Sequence, residues 1–368
     1  MRIDRLRLIN FRTYADQTIE FSDGINVITG KNAQGKTNLL EAVHYLTGGF
    51  SFRTVSDREM ISFGEDAAEL TASINGNGRD QTIQISFGAG RKKRTIVNGV
   101  RLKSVSELAG KFTAVLFCPD DLAIIQSAPA YRRRLLDGCL CQMRPRYAAV
   151  LSEYRRLYEG KARILKDRDE RMRPLLEEYS EGMCRTGAVL IHYRARISEL
   201  LAQIAEETHR DFSGGAEKLT VEYRTVGTVT DPQAQSTAVY EQLLAHMTGH
   251  REAEWAAGRC LSGVHKDDLL ISVNGRDARR YASQGQARTA AISLKMAERE
   301  ILKRDTGEYP VLLLDDVLSE LDPMRQDYIL NRSGTGQVLI TCCEEQAVAE
   351  KTGGRILRVA DGTVTEAG

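Results

Sequence analysis

Eight consecutive residues constrain this chain more than any other feature: Gly30-Lys31-Asn32-Ala33-Gln34-Gly35-Lys36-Thr37. They satisfy G-x-x-x-x-G-K-[ST] in full. An apolar Ile25–Thr29 precedes them, and a stretch with Leu39, Leu40, Val43 and Leu46 on one helical face follows. In that setting Gly30 and Gly35 let the backbone wrap so that its N–H groups converge on phosphate oxygens. The helix start adds the positive end of its dipole. Lys36 is then placed for the β- and γ-phosphates, and the Thr37 hydroxyl for Mg2+.

A phosphate loop of this kind needs a second strand ending in acid. Val311-Leu312-Leu313-Leu314-Asp315-Asp316 has that form, with Pro310 suited to a strand's start. Four apolar residues in a row predict a strand buried on both faces, as in a parallel sheet. Asp315 at its carboxyl end is the expected Mg2+ partner, and Asp316 the residue that polarises the attacking water. Catalysis is therefore assigned to Lys36, Asp315 and Asp316, with ATP and Mg2+ as cofactors. Thr37 and Asp315 are the metal-side pair.

Two further stretches select a subclass. Ser283-Gln284-Gly285-Gln286 stands before an amphipathic helix expected at about 287–303, and Ser319-Glu320-Leu321-Asp322 follows the acidic strand. Taken alone, Ser-Gln-Gly-Gln is an ordinary helix cap. Between the phosphate loop and the acidic strand it matches the S-x-G-Q signature of ABC ATPases, and Ser319–Asp322 resembles their D-loop. In that family the signature caps the ATP of a partner copy, so Ser283, Gly285, Gln286 and Asp322 join the nucleotide-contacting set. A two-fold dimer with ATP sandwiched between protomers is expected.

The rest of the chain reads as a split α/β domain with a helical insertion. The opening residues alternate as strands, and 67–100 reads as a β-meander whose Asn75-Gly76 and Asn98-Gly99 are hairpin-turn dipeptides. Apolar residues at helical spacing from Tyr147 to Leu165 and from Leu190 to Ile204 predict a helical hairpin or small bundle at about 125–210. The boundaries expected are an ATPase lobe over 1–120 and 215–368, with a helical arm over 121–214. Net charge is only +1, yet residues 131–173 hold 13 Lys/Arg against 6 Asp/Glu, and 81–106 hold six basic residues and no acid. Basic segments on an acidic background steer polyanions, although a basic run is equally compatible with a plain solvated face. Seven cysteines without a C-x-x-C pair, a start without a signal-peptide core and no long apolar run predict a cytoplasmic protein. The six histidines form no metal pattern, and His246 and His250 read as structural.

With these residues assembled, the chain resembles the RecF family of bacterial recombinational-repair ATPases, short-armed relatives of the SMC proteins. The resemblance spans nearly the whole chain. It starts at Leu8-Ile9-Asn10-Phe11-Arg12-Thr13-Tyr14 and continues at Ser51-Phe52-Arg53-Thr54, where Phe52 replaces the family's more usual His. It runs on from Pro119-Asp120-Asp121-Leu122 to Arg132-Arg133-Arg134-Leu135-Leu136-Asp137, and returns at Gly263-Val264-His265-Lys266-Asp267-Asp268. The resemblance implies an ABC-type ATPase head with an inserted helical arm. It also implies ATP-dependent dimerisation and DNA binding at duplex/single-strand junctions, slow ATP hydrolysis, and work with RecR and RecO in loading RecA. It makes Arg12 an adenine or phosphate contact. Arg91, Lys92, Lys93 and Arg94 of the meander, and Arg132, Arg133 and Arg134 at the arm's start, are candidate DNA-phosphate contacts.

Other readings share parts of this pattern. A transporter nucleotide-binding subunit has the same loop, signature and acidic strand, but normally lacks a basic helical insertion and has Glu after the Mg2+-binding Asp. The ATPase subunit of an SMC-type nuclease needs a far longer heptad arm. A non-enzymatic scaffold locked by ATP remains open as a third reading.

Overall fold

The computed structural model describes residues 1–54, 56–318, 321–333, 336–343 and 353–366, with 331–333 by backbone only. The chain begins with a β-hairpin, β1 (Arg2–Phe11) and β2 (Tyr14–Glu20), then β3 (Ile25–Thr29) and helix α1 (Lys36–Tyr45). Strands β4 (Ala67–Gly76), β5 (Arg79–Gly88), β6 (Arg91–Val97), β7 (Val100–Arg101) and β8 (Ala114–Phe117) follow. Along β4 the residues Ala68, Leu70, Ala72 and Ile74 are buried and their neighbours less so, the period of two that turns one face to a core. The antiparallel sheet runs in the order β2-β1-β4-β5-β6-β7.

One hairpin turn falls a dipeptide later than expected. Gly76 pairs with Arg79, so Asn77-Gly78 form the two-residue turn, both at positive φ (53° and 66°). This register matches Leu70 to Ile85 and Ala72 to Ile83. A turn at Asn75-Gly76 would instead carry Ile85 beyond the buried run. Asn98-Gly99 do turn β6 into β7, as their sequence predicts.

The second unit begins with α2 (Leu122–Gln126), α3 (Pro129–Met143), α4 (Pro145–Asp167) and α5 (Leu175–Phe212). Both α3 and α4 start on proline, which suits the first helical position because no N–H is needed there. Then come β9 (Leu219–Arg224), α6 (Ser236–Gly249), α7 (Arg251–Ala257), β10 (Asp268–Val273), β11 (Arg276–Asp277), α8 (Ala278–Tyr281) and α9 (Gln284–Thr306). By packing, one unit is Met1–Asp121 with Glu298–Gly368, and the other is Leu122–Ala297. The return to the first unit thus falls inside α9, not at 215. Strands β9, β10 and β11 pair among themselves in a separate three-stranded sheet, and β9 and α6 pack on α5. Their strand-like texture, the reason for placing them with the ATPase sheet, is satisfied within the arm unit.

The first unit closes with β12 (Val311–Asp315), α10 (Pro323–Ser333), β13 (Val338–Cys342), β14 (Arg355–Ala360) and β15 (Thr363–Glu366). These join β3 and β8 in a sheet ordered β15-β14-β3-β13-β12-β8, parallel except for β15. Every residue of β12 and β13 is buried, as an interior parallel strand requires. Leu39, Leu40, Ala42, Val43 and Tyr45 of α1 share one apolar core with inward residues of both sheets, so the helix after the phosphate loop is held from both sides.

Candidate functional site

The phosphate loop lies at the carboxyl ends of β3, β13 and β12. Its two glycines are demanded by geometry. Gly30 sits at φ +150°, where an added Cβ would lie 2.3 Å from the Val359 carbonyl oxygen of β14. Gly35 sits at φ +117°, where a Cβ would lie 2.7 Å from Thr13 Oγ1. Ala33 also holds a positive φ of 64°, uncommon for a residue with a side chain. Gly35 is the N-cap of α1, no side chain caps it, and the first turn carries no acid. The helix's first N–H groups are therefore presented to the loop, the arrangement that binds anions. Lys36 is buried and donates to the carbonyls of Gly30 (2.8 Å) and Lys31 (3.2 Å), with Cys343 Sγ 3.4 Å away. Cys343 Sγ also meets Asn32 Oδ1 at 3.0 Å, and the Asp361 N–H donates to Gln34 Oε1 at 2.5 Å.

Asp315 ends β12 beside this loop. Thr37 Oγ1 donates to Asp315 Oδ1 at 3.0 Å, and Thr341 Oγ1 donates to the same oxygen at 2.8 Å. Burial pushes the Asp315 carboxyl above its usual range, while the Thr341 and Thr37 hydroxyls and the charge of Arg53 pull it back. Asp316 follows at φ +51°, half-buried, with its N–H donated to Thr341 Oγ1 at 2.9 Å. The oxygens of Thr37 and Asp315 are hard donors, two in number. They suit a cation such as Mg2+ that fills its remaining positions with phosphate and water.

A buried acid organises the rim. Glu41, fully buried on α1, receives Arg12 Nε at 2.9 Å and Nη2 at 2.8 Å, and the Ser51 hydroxyl at 2.5 Å. Arg12 Nη1 donates to the Glu59 carbonyl at 2.6 Å. The Arg12 guanidinium, expected on adenine or phosphate, is thus engaged in bracing its own loop, which also reaches the phosphate loop through Tyr14 Oη to the Gly35 carbonyl at 2.9 Å. Arg53 Nη1 donates to Asn38 Oδ1 at 2.8 Å, next to Thr37, and lies within electrostatic reach of Asp315. Sequence reasoning noted Arg53 in its motif without assigning it to the site; its nearness to Asp315 arises only in the fold. Phe52 packs edge-on against His44 at 5.6 Å, a core contact.

The signature stretch belongs to the second unit. Ser283 Oγ accepts the Gln286 N–H at 3.2 Å while Gln286 Oε1 accepts the Ser283 N–H at 3.0 Å, a reciprocal capping box at the start of α9. Ser283 and Gly285 are exposed, and Gln286 is tied to Glu217 Oε1 at 2.8 Å. In the first unit Asp322 caps α10, accepting the Arg325 N–H at 3.0 Å and pairing with its guanidinium; Ser319 and Glu320 lie outside the described residues.

The basic segments divide by direction. Arg91, Lys92 and Arg94 of β6 are exposed. Lys93 turns inward, donating to the Gly49 carbonyl, pairing with Asp57 at 3.0 Å and lying over the Tyr45 ring; burial lowers its pKa. Arg132 is 3% exposed and forks onto Asp268 (2.6 and 3.1 Å) and onto the carbonyls of Ile124 and Ser127. Arg133 donates to the Asp267 carbonyl at 2.8 Å, and only Arg134 of the three is exposed. Arg132 and Lys93 are therefore braces, not free phosphate contacts: alternation on a strand and a helical face direct them to Asp268 and Asp57. Nearby, fully buried Asp267 holds Arg194 (2.8 Å), Tyr223 (2.5 Å) and Thr225 (2.7 Å), and Arg194 also pairs with Asp137. The two sequence motifs Arg132–Asp137 and Gly263–Asp268 thus meet in one polar network.

A family model for an AAA domain matches residues 5–127. The DNA replication and repair protein RecF of Symbiobacterium thermophilum is 40% identical over 375 residues, covering 99% of this chain and 98% of that protein. The protein of the same name from Clostridioides difficile is 36% identical over 346 residues, covering 94% of this chain and 92% of that protein. A solved structure of the recombination mediator protein RecF-ATPrS in the RecFOR pathway aligns with a TM-score of 0.91 at 33% identity, covering 100% of this chain and 98% of that one. An Smc head domain from Pyrococcus furiosus, 18% identical, aligns at 0.54 over 99% of this chain and 95% of that one, a likeness of fold. With a phosphate loop and acidic strand set in an SMC-like ABC head, and identities of this size along its whole length, the chain belongs to the RecF family of DNA replication and repair ATPases.

Proposed function

We propose that this ATPase binds ATP with Mg2+ and works as an ATP-gated homodimer that clamps duplex DNA near single-strand/double-strand junctions. The observation that supports the nucleotide half is the juxtaposition of Lys36, held against loop carbonyls, with Thr37 and Asp315 joined at 3.0 Å. Mg2+, when bound, offsets the phosphate charge. The chain's own residues do the rest: loop N–H groups hold phosphates, Lys36 moves from carbonyls to phosphate oxygens, and Asp316 orients water. Asp316 is one methylene shorter than the Glu usual in ABC ATPases, so it holds that water less closely and hydrolysis is slow, a timer for the clamped state. Ser283, Gly285, Gln286 and Asp322 serve the ATP shared with the partner protomer. Arg91, Lys92, Arg94 and Arg134, the exposed members of the basic segments, contact DNA phosphates.

The RecFOR setting of the similar solved structure supports a role beside RecO and RecR; a place upstream of RecA, in the cytoplasm, belongs to the same proposal. The deciding experiment is binding to gapped duplex DNA across a salt series, with and without ATP. A steep salt slope that appears only with ATP is expected; a flat slope, or no ATP effect, sinks the clamp. Asp316→Asn separates binding from chemistry: dimerisation on ATP persists while turnover falls at least a hundred-fold, measured by light scattering and phosphate release.

A further inference from the structure

We infer that Thr341 is a positioning residue of the ATPase site, one hydroxyl that sets both acids at once. The inference rests on the nucleotide reading above. Thr341, the penultimate residue of β13, is in register with Asp315 on β12 and is 1% exposed. Its hydroxyl has one proton, and of the two acceptors in reach Asp315 Oδ1 at 2.8 Å is far nearer than the Leu314 carbonyl at 3.5 Å. A lone pair of Thr341 Oγ1 accepts the Asp316 N–H at 2.9 Å. Donor and acceptor are therefore both used, and each is used on a different acid.

Two consequences follow from this geometry. Asp315 is buried, and its Oδ1 has two hydroxyl donors, Thr37 and Thr341. Thr37 is itself a metal-side residue, so Thr341 is the donor for which no ligand role competes. Outer partners of this kind orient a ligating carboxylate. Asp316 stands at φ +51°, a backbone state few residues with side chains adopt. The hydroxyl holds the peptide that enters this state, and so fixes the direction in which the Asp316 carboxyl leaves the strand. The spacing of the acidic strand shows none of this, because Thr341 lies 26 residues further along the chain from Asp315.

The test compares Thr341→Val, which keeps the branched shape, with Thr341→Ser, which keeps the hydroxyl, in the full-length protein. Binding of a fluorescent ATP analogue is titrated in EDTA and then against Mg2+, alongside steady-state turnover. Thr341→Val is expected to bind the analogue in EDTA as wild type does. Its half-saturating Mg2+ should rise and its kcat fall, each about ten- to a hundred-fold, with KM for ATP far less affected. Thr341→Ser should lie within about threefold of wild type on all of these measures. Should Thr341→Val fold poorly by thermal melting, Thr341→Ala against Thr341→Ser supplies the same hydroxyl comparison. Wild-type Mg2+ dependence and kcat in the hydroxyl-free variant, or failure of Ser to restore them, overturns the inference. A wild-type protein that binds no ATP overturns the nucleotide reading and this inference together.

Discussion

Glu41 stands on α1 one turn beyond Thr37, and the phosphate-loop pattern asks for no acid there. In the fold it is fully buried and gathers Arg12, Ser51 and Arg53, tying the β1–β2 turn and the segment after α1 to the phosphate-loop helix. Removing one partner of a buried pair leaves a charge without compensation, at a cost of about 3–5 kcal/mol. Glu41→Gln should accordingly lower the unfolding free energy by roughly that amount, read from denaturant melts, and loosen ATP binding because Arg12 and Arg53 lose their anchor. Unchanged melts would show that the Arg12 fork is replaceable by water. Residue identity alone was a poor guide to direction here. Arg132 and Lys93 look like their exposed neighbours in the sequence, yet each turns to an acid of its own unit.

At the scale of elements, the motif Gly263–Asp268 leads into β10 and delivers groups to the arm unit's core instead of to a ligand. His265 shows the consequence. Its Nδ1 meets Tyr154 Oη at 3.0 Å and its ring lies 4.6 Å from Tyr158. Burial first, and the Lys266 charge second, lower its pKa from 6.5 to about 4. The unfolded chain then takes up a proton that the folded chain refuses. Stability is retained above about pH 6.5 and falls as pH drops toward 4, by at most about 3 kcal/mol. Denaturant melts at pH 7 and pH 5 should show this loss in the wild type and a smaller one in His265→Gln. Equal losses would place the sensitivity elsewhere, for example at His246, whose pKa burial also lowers. Strand and helix were readable from period and length where the pattern is strong, as in β3, β12 and α4, while α6, α7, β14 and β15 carried no such expectation. The assignment of β9, β10 and β11 was not, because a strand's texture reports that it is half-buried and never which sheet it joins.

For the whole molecule, a net charge of +1 conceals a division between exposed and internal basic residues. On β6, Arg91, Lys92 and Arg94 face solvent together while Lys93 does not. If they contact DNA phosphates, replacing all three with Glu should flatten the log–log salt dependence of ATP-dependent DNA binding by up to about three units, near 0.9 for each phosphate no longer neutralised. Lys93→Ala should instead lower stability through Asp57 and Tyr45 and leave the slope unchanged. A triple variant with the wild-type slope would move the DNA surface off β6. Fluorescence anisotropy on gapped duplex across a salt series reads all of these.

The sequence by itself determined the phosphate loop, the acidic strand and the family, because each is written in contiguous residues. The turns of Gly30 and Gly35 follow from glycine's freedom at positive φ, and the burial of β12 follows from an unbroken apolar run. Only the tertiary structure decided which side chains complete the site and which are spent elsewhere. Thr341 and Cys343 reach the loop and Asp315 because parallel strands bring their carboxyl ends to one edge, however far apart they lie along the chain. Arg12, Lys93 and Arg132 are drawn inward for the complementary reason. Each pairs with a carboxylate, fully buried at Glu41 and part-exposed at Asp57 and Asp268, and the fold, not the local sequence, sets where those carboxylates are.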